Sequence, residues 1–414
     1  MASSRRDRAD RRSGPPPSEH RFTAELREFF VGVPERLDEA VGPGSELLRA
    51  RHYRRLLDQA GLSGLTYPVE LGGRGWPERY EHLFNEVRNQ CGPPEASALA
   101  VGLGMALPTI LQHGTDAQQR RFIPPGLLGD EVWCQLYSEP GAGSDLASLS
   151  TRAELDGDEW IVTGQKVWTS GAAEADLAIL LARTSWDRPK HRGITMFVLD
   201  MDQPGVTVRP LVQMTGVAEF NEVFLDEARI PRDWVIGQVN EGWSLAVALM
   251  KHERATLGAG QRSVEGSKTG RAPLPMEDLA RLARRRRRLD DAVVRQELAA
   301  LHTGERVIEW LNQRSVHPSV TKLWRTVQGR RAAQLAHLLN GVSAWPVDDT
   351  LADYYAYQVL NCRGMSLGGG TDEIQRNLLG ERLLGLPREP GPPADTPFRD
   401  LLRNKDGNIE QGGS

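Results

Sequence analysis

The sequence predicts an α+β protein of 414 residues in which helices come first, strands second and helices again third. Apolar residues three and four apart dominate from Phe22 to about Gly129, and short β-branched and aromatic runs follow from Glu131. After Pro231 the helical period returns and holds to about Leu386. We therefore expect a disordered leader (1–19), an N-terminal helical domain (20–130), a β-domain (131–236), a C-terminal helical domain (237–387) and a tail (388–414).

Composition and charge narrow the classes of protein to which the chain can belong. Lys and Arg number 51 against 55 Asp and Glu, a formal charge of −4, which excludes a general nucleic-acid binder. Hydrophobic residues make up 39% and charged residues 26%, as is typical of a globular chain. The cysteines Cys91, Cys134 and Cys362 lie far apart without a CxxC pair, so neither a disulfide framework nor a metal site is expected.

The two chain ends and one long uncharged segment indicate disorder at the ends and the localisation of the protein. Residues 1–19 and 388–414 are rich in Pro, Gly, Arg and Asp, so they cannot bury enough surface to order themselves. The N-terminal arginines are not followed by an apolar core, which excludes a secretory signal and predicts a cytoplasmic enzyme. The run Ala96–Thr115 is broken by Gly102 and Pro108, so it predicts buried helices and not a membrane span.

Individual elements follow from local patterns. Leu47–Ala60 has helical spacing, and the glycine-rich stretch 66–77 behind it predicts a loop. Thr151–Leu155 and Glu159–Thr163 flank Asp156-Gly157-Asp158, a hairpin pattern. Further strands are expected at Asp176–Arg183, Ile194–Asp200, Val206–Pro210 and Glu222–Leu225. Two apolar stripes predict C-terminal helices: one on Val294, Leu298, Leu301, Ile308 and Leu311, the other on Val320, Trp324, Val327, Leu335, Leu338 and Val342.

Two motifs of the β-domain have the chemistry of a ligand site. The stretch YSEPGAGSDLA, residues 137–147, places small residues in one turn, so backbone N–H groups and the hydroxyls of Ser138 and Ser144 can approach a planar or anionic ligand. The stretch GQKVWTSGA, residues 164–172, offers an aromatic wall at Trp168 and donors at Thr169 and Ser170. The alternatives are an ordinary surface turn and a tryptophan of the core.

Together with a third motif, GGTDEIQRN at residues 369–377, these stretches resemble the acyl-CoA dehydrogenase family. The resemblance extends to PVELGGRGW (68–76), HGTDAQQRRFIPP (113–125) and LLGERLLGLPRE (378–389), in the family's order. PKHRGIT (189–195) and MTGVAEFNEVF (214–224) resemble the bacterial branch that includes enzymes of steroid side chains. The resemblance implies N-terminal helices, a β-barrel-like middle domain and a C-terminal four-helix bundle.

The resemblance also implies a reaction, a cofactor and partners. It implies non-covalently bound FAD, a tetramer, an acyl-CoA or acyl-carrier-protein thioester as substrate, and an electron-transfer flavoprotein as electron acceptor. Residue by residue, it assigns substrate binding to Ser144, Arg254 and Gly369. Cofactor binding falls to Tyr137, Ser138, Gly143, Ser144, Trp168, Thr169, Ser170, Arg285, Gln296, Thr371 and Glu373.

Such an enzyme needs a carboxylate that removes the α-proton of the thioester. Many members of the family carry it in a loop whose letters here are GGGT, residues 368–371, and glycine at position 369 cannot be a base. The backbone N–H of Gly369 remains able to polarise the thioester carbonyl. The family's other location corresponds to Glu253, which shares an apolar stripe with Ala246, Leu249, Met250 and Leu257. The alternative is a surface pair of Glu253 with Arg254 or a lysine.

The most unusual local feature is the run Arg284–Arg288. The family places an arginine near here, with a glutamine eleven residues later, to reach the FAD phosphates of the neighbouring subunit, and Arg285 and Gln296 have that spacing. The Phe-Gly of the common pattern is replaced by Arg288 and Leu289. A solvated cationic face is the alternative for most of the run.

Three functions follow from these residues. The first is FAD-dependent α,β-dehydrogenation of an acyl thioester to the trans-2-enoyl thioester, with Glu253 as the base. The second is a flavoprotein partner subunit of a heterotetrameric dehydrogenase, against which Glu253 argues. The third is a flavin oxidase or monooxygenase on the same fold, which would react with oxygen.

Overall fold

The computed structural model describes residues 14–41, 45–91, 97–249, 274–314, 316–341 and 350–401. They belong to two compact units. The first contains residues up to 211, 219–249 and those from 393 onward, and the second contains residues 212–218 and 250–392. Glu253 and Arg254 lie outside the described residues.

The first unit begins with helices. They are α1 (Glu19–Val31), α2 (Val33–Val41), α3 (Glu46–Gln59), α4 (Glu78–Cys91), α5 (Leu107–His113) and α6 (Asp116–Leu128). Side-chain caps start several of them; Thr115 and Gln118 form a capping box at α6, and Gly129 ends that helix with a positive φ of 71°. A core of aromatic and aliphatic side chains around Phe22, Phe30 and Trp76 holds α1 to α4 together.

A mixed sheet follows in the same unit. Its strands are β1 (Trp133–Leu136), β2 (Arg152–Asp156), β3 (Glu159–Ser170), β4 (Leu177–Arg183), β5 (Ile194–Asp200), β6 (Val206–Leu211), β7 (Phe220–Pro231) and β8 (Val235–Ile236). The order is β6-β7-β3-β2-β4-β5-β8, with β1 paired to β4. Strand β4 is buried along its whole length, because its alternate side chains enter two different cores.

After the sheet, the same unit contains a helix, α7, at residues 242–249. Ala246 and Leu249 are buried in the core that also contains Ile179 and Met196 of the sheet. These are the first two residues of the stripe in which the sequence places Glu253. The helical face expected at that position is therefore present up to Leu249.

The second unit is helical. Its helices are α8 (Met276–Arg285), α9 (Ala292–Gln313), α10 (Pro318–Asn340), α11 (Thr350–Asn361), α12 (Gly364–Leu367) and α13 (Asp372–Leu378). Helices α8 to α11 share a core in which Leu279, Val294, Leu335 and Tyr354 are buried. This bundle and the sheet confirm the predicted α+β class.

Both predicted chain ends contain contacts that the sequence analysis does not predict. Trp76 Nε1 donates to the Gly14 carbonyl at 3.2 Å, and the Tyr80 hydroxyl donates to the Pro17 carbonyl at 2.6 Å. Near the C-terminus, Phe398 is 1% exposed. The expectation that residues 388–414 bury too little surface to order is therefore wrong for the part around Phe398.

Candidate functional site

The first predicted ligand motif forms a narrow loop directly after β1. Glu139 and Ala142 exchange two backbone hydrogen bonds, each 3.1 Å long, which bring Gly143 and Ser144 to the surface. Both residues are exposed, and a Cβ added to Gly143 would meet no atom within 4 Å. The loop therefore presents backbone and a hydroxyl on an open edge.

The second motif ends β3 with a β-bulge. Lys166 pairs with Val223 and Thr169 with Asn221, so β3 has one residue more than β7 between these pairs. Trp168 lies in the bulge with a φ of 62°, a conformation that costs a non-glycine residue about 1 kcal/mol or more. The residue is 56% exposed. A large aromatic side chain held exposed in a strained backbone is typical of a binding surface.

The structure brings the two motifs together. The Val167 N–H donates to the Ser138 carbonyl at 2.9 Å, and Lys166 Nζ donates to the Tyr137 carbonyl at 3.1 Å. The residues of both motifs that the sequence assigns to the cofactor thus lie on neighbouring backbone segments of the first unit. They are Tyr137, Ser138, Gly143, Ser144, Trp168, Thr169 and Ser170.

A buried carboxylate closes the loop at its base. Glu139 accepts hydrogen bonds from the backbone N–H groups of Ser150 and Thr151, at 2.7 and 2.8 Å, and from Lys166 Nζ at 2.8 Å. Burial alone would raise the pKa of Glu139. The charge of Lys166 and these hydrogen bonds outweigh burial and lower the pKa from its usual 4.5 to about 2. Glu139 is therefore ionised at neutral pH, and its low pKa makes it a poor proton acceptor.

These residues fit the edge of a flavin ring. Thr169 is buried, and its Oγ1 has no hydrogen-bond partner among the described residues. Such a group costs free energy unless a ligand or water satisfies it. Beside it stand the exposed Trp168 ring and the exposed Ser170. A planar ring with polar atoms at its edge would cover the indole and satisfy the threonine hydroxyl.

The third motif forms the turn between α12 and α13 and most of α13, in the second unit. Gly369 has a φ of 65°, and its carbonyl accepts a hydrogen bond from Gln375 Nε2 at 2.8 Å. Thr371 caps α13 through a hydrogen bond from the Ile374 N–H to its hydroxyl. A left-handed φ favours glycine, so the backbone itself explains why residue 369 lacks a side chain.

An ion pair of the buried Asp372 fixes the position of this turn. Asp372 is 3% exposed, and its carboxylate lies 2.7 Å from Lys322 Nζ and 3.7 Å from Arg330 Nη2. Lys322 also donates to the Ser366 carbonyl at 3.4 Å. The positions of both ends of the Gly369 turn are therefore set by charged groups of α10.

The remaining predicted cofactor residues lie on the surface of the second unit. Glu373 is exposed and 3.5 Å from Arg376. Arg285 ends α8 and Gln296 lies on α9, and both are exposed. No described contact assigns these three residues to a ligand, so their role stays a prediction.

Sequence reasoning missed the residues that support the motifs. Glu139 and Lys166 lie within the two quoted stretches, and Asp372 lies within the third. Their pairing partners are 27 and 50 residues away in the chain, so no local spacing indicates the contacts. A signal was nevertheless present, since a charged residue inside a motif of small and apolar residues needs a partner when it is buried.

Three family models match almost all of the chain between its ends. The N-terminal, middle and C-terminal domains of acyl-CoA dehydrogenase match residues 17–130, 134–228 and 240–384, respectively. Among curated proteins, the acyl-CoA dehydrogenase IpdE1 of Mycobacterium tuberculosis is 39% identical over 360 residues, covering 84% of this chain and 91% of the relative.

Solved structures give the same assignment. A structure named Tcur3481-Tcur3483 steroid ACAD has a TM-score of 0.71 and 29% identity, covering 91% of this chain and 99% of the other. The ChsE4-ChsE5 complex from Mycobacterium tuberculosis has a TM-score of 0.68 and 28% identity, covering 91% and 99%.

Within the described ranges, no helix is long and apolar enough to cross a membrane. The motifs, the two folded units and the family matches between residues 17 and 384 agree with one another. The chain belongs to the acyl-CoA dehydrogenase family, and it is an oxidoreductase of the FAD-dependent type that dehydrogenates acyl thioesters.

Proposed function

We propose that this chain is a catalytic acyl-CoA dehydrogenase subunit that converts a CoA-linked acyl thioester to the trans-2-enoyl thioester. One arrangement carries the proposal. The strained and exposed Trp168 and the unsatisfied hydroxyl of Thr169 are held against the loop of Ser138 by the Val167 N–H. Together these residues form a surface that fits a flat cofactor with polar atoms at its edge, and the exposed backbone of the loop lies beside it.

Each motif residue has a proposed role. Trp168, Thr169 and Ser170 contact the flavin ring, while Tyr137, Ser138, Gly143 and Ser144 supply backbone and hydroxyl contacts to its edge. Thr371 and Glu373 also contact the cofactor, and Arg285 and Gln296 reach FAD phosphates of a neighbouring subunit. When bound, FAD accepts the hydride that leaves the β-carbon.

The proton is the other half of the reaction. We assign its removal from the α-carbon to Glu253, with the N–H of Gly369 polarising the thioester carbonyl and Ser144 and Arg254 binding the substrate. Glu253→Gln keeps size and hydrogen bonding but removes basicity. We expect it to bind FAD and thioester while flavin reduction falls by at least about 10²-fold. A wild-type rate in stopped-flow reduction would place the base elsewhere.

An anaerobic titration tests the reaction itself. The purified protein is expected to be yellow, and one acyl-CoA of a panel that varies chain length, branching and ring content should bleach the flavin. The same acyl groups on acyl-carrier protein test the carrier. Reoxidation by electron-transfer flavoprotein, and slow reoxidation by air, is expected of a dehydrogenase. Rapid reaction with oxygen would instead indicate an oxidase or monooxygenase, and a protein that cannot be loaded with FAD would refute the proposal.

The second unit supports assembly with another chain of this fold. Val307, Leu311, Val320, Trp324, Val327 and Leu379 line an apolar groove of about 380 Å³. Trp310, which lies on α9 between Val307 and Leu311 of this groove, is 53% exposed. Apolar surface of this kind marks interfaces. We propose a tetramer built on these helices, and light scattering that finds a flavin-saturated monomer would contradict it.

A heterotetramer is the second candidate for the assembly. It is favoured because both structural relatives described above are named as pairs of different chains. In that case this chain, which has Glu253, is the subunit with the base. Coexpression with candidate partner chains, followed by measurement of flavin content per chain, distinguishes the two: a homotetramer is saturated with FAD alone, whereas the heteromer needs its partner.

A further inference from the structure

The segment 393–401, which we name the C-terminal strap, lies against the connection between β4 and β5. The Phe398 N–H donates to the Arg188 carbonyl at 3.0 Å, and the Arg399 N–H donates to the Trp186 carbonyl at 3.1 Å. The rings of Phe398 and Trp186 lie 5.5 Å apart. The strap is thus fastened by backbone hydrogen bonds and by one buried ring.

Under this ring lies the side chain of Arg183, the last residue of β4. Its Cζ is 3.6 Å from the centroid of the Phe398 ring, and Arg183 is 0% exposed. A guanidinium over an aromatic face is stabilised by the charge distribution of the ring, and more strongly so without water. Although burial lowers the pKa of Arg183 to about 10, the group keeps its charge at neutral pH.

Carbonyl groups at the end of the first motif and directly after it accept hydrogen bonds from this buried guanidinium. Arg183 Nη2 donates to the Ala147 carbonyl at 2.7 Å, and Nε donates to the Leu149 carbonyl at 3.0 Å. Ala147 and Leu149 belong to the turn that follows Ser144. The guanidinium therefore fixes the end of the loop that the proposed function assigns to cofactor and substrate.

A second connection reaches the same loop. Arg183 Nη1 donates to the Lys190 carbonyl at 3.2 Å, and Lys190 Nζ lies 2.8 and 3.0 Å from the two carboxylate oxygens of Asp145. Asp145 directly follows Ser144. Arg183 thus supports the segment after Ser144 at two points, through Lys190 at Asp145 and directly at Ala147.

We propose that the C-terminal strap is a positioning element of the flavin and thioester site, and that Phe398 is its positioning residue. The ring excludes water from Arg183, so its hydrogen bonds to Ala147 and Leu149 form in a low dielectric and hold the loop in one conformation. Without the ring, water competes for the guanidinium and the loop moves more freely. The proposal rests on the proposed function only in assigning Gly143 and Ser144 to cofactor and substrate.

Matched variants of the full-length protein test it. Phe398→Leu keeps an apolar side chain but removes the aromatic face, and Phe398→Tyr restores that face. Arg399→Ala is the control, because it removes the surface ion pair with Asp187 and leaves the ring in place. The readouts are the dissociation constant of FAD and hydrogen exchange of residues 145–151 in protein stripped of flavin.

In Phe398→Leu we expect both the FAD dissociation constant and the exchange rates of 145–151 to rise at least about fivefold. Phe398→Tyr should lie within about twofold of the wild type, as should Arg399→Ala. Unchanged exchange and binding in Phe398→Leu would overturn the proposal. Faster exchange throughout the first unit, equal for the Leu and Tyr variants, would also overturn it by showing a purely structural role.

If Phe398→Leu does not fold, native-state exchange of the wild type decides the question. Coupling requires that the amides of Phe398 and Leu149 open with the same free energy at increasing denaturant, and clearly different values would refute it. These exchange measurements need no flavin. A wild type that binds no FAD would therefore refute the proposed function, while the exchange results would still report on the strap.

Discussion

Lys166 Nζ and Glu139 Oε1 lie 2.8 Å apart, and neither side chain is more than 5% exposed. The pair joins the two motifs that form the proposed flavin surface, because each residue belongs to one of them. A buried ion pair adds little stability compared with an apolar pair, but removing one partner leaves an uncompensated charge. The pair therefore fixes where the two segments lie relative to each other.

Removal of the Lys166 ammonium group should strongly lower the stability of the protein. In Lys166→Met, the Glu139 carboxylate stays buried without its counter-ion, and we expect the free energy of unfolding to fall by about 3 kcal/mol. Denaturant titration measures this change, and the variant should also retain less FAD. Arg229→Met is the control. It breaks an ion pair of similar length with Glu159 that is half exposed, so its effect on the free energy of unfolding should be much smaller than that of Lys166→Met.

The same carboxylate predicts an acid limit to stability. The pKa of Glu139 in the folded protein, about 2, lies below its usual 4.5, so its contribution is complete above pH 4.5 and is lost as the pH falls towards 2. A difference of this size corresponds to about 3 kcal/mol. We expect Glu139→Gln to be less stable than the wild type at pH 7 and to lose less stability between pH 5 and pH 3. Equal losses in the two proteins would contradict this assignment.

Trp168 separates backbone strain from ligand binding. Trp168→Gly relieves the positive φ and loses a ring that is largely exposed, so the free energy of unfolding should not fall and is expected to rise by about 1 kcal/mol. The FAD dissociation constant should nevertheless increase about tenfold, because the aromatic contact is gone. Trp168→Ala, which keeps the strain, should lose the same affinity without the gain in stability. Unfolding curves and flavin fluorescence measure the two effects.

The sequence predicts regular elements well where the pattern is local. Ile194–Asp200 is found as β5 with the predicted bounds, whereas β7 extends from Phe220 to Pro231, beyond the predicted Glu222–Leu225. A bulge at Glu227, with a φ of 56°, interrupts the alternation there and hides the length of β7. Strand β1 has only the letters WCQL, too few to show a period.

The residues of the candidate site also fall into two groups, those that the sequence predicts and those that it does not. A motif of small residues, such as the loop before Ser144, can be recognised in the sequence, because small residues are needed where the backbone approaches a ligand. The supports of that loop come from distant positions, Lys166, Arg183 and Phe398, and only the folded chain brings them together. Phe398 in particular is one aromatic residue within a polar segment. The proposed domain boundaries at 130/131 and 236/237 stay predictions.

Gly369 is expected to tolerate a side chain at a modest cost. Its φ of 65° disfavours other residues by about 1 kcal/mol, but a Cβ added there would meet no atom within 4 Å. Gly369→Ala should therefore lower the free energy of unfolding by about 1 kcal/mol and leave the fold intact. A loss of several kcal/mol would show that the turn is more constrained than its backbone indicates.

This tolerance permits a test of where the base can stand. Many members of the family carry the catalytic carboxylate at the position of Gly369. Gly369→Glu in the Glu253→Gln background therefore moves the base from position 253 to position 369. Because general-base catalysis contributes about 10² to 10⁴ in rate, we expect flavin reduction at least about tenfold faster than in Glu253→Gln alone, and slower than in the wild type because of the backbone strain. Gly369→Gln in the same background is the control, since its amide has similar size but accepts no proton. Equal reduction rates for the Glu and Gln variants, measured anaerobically with a verified thioester, would show that position 369 cannot supply the base in this chain.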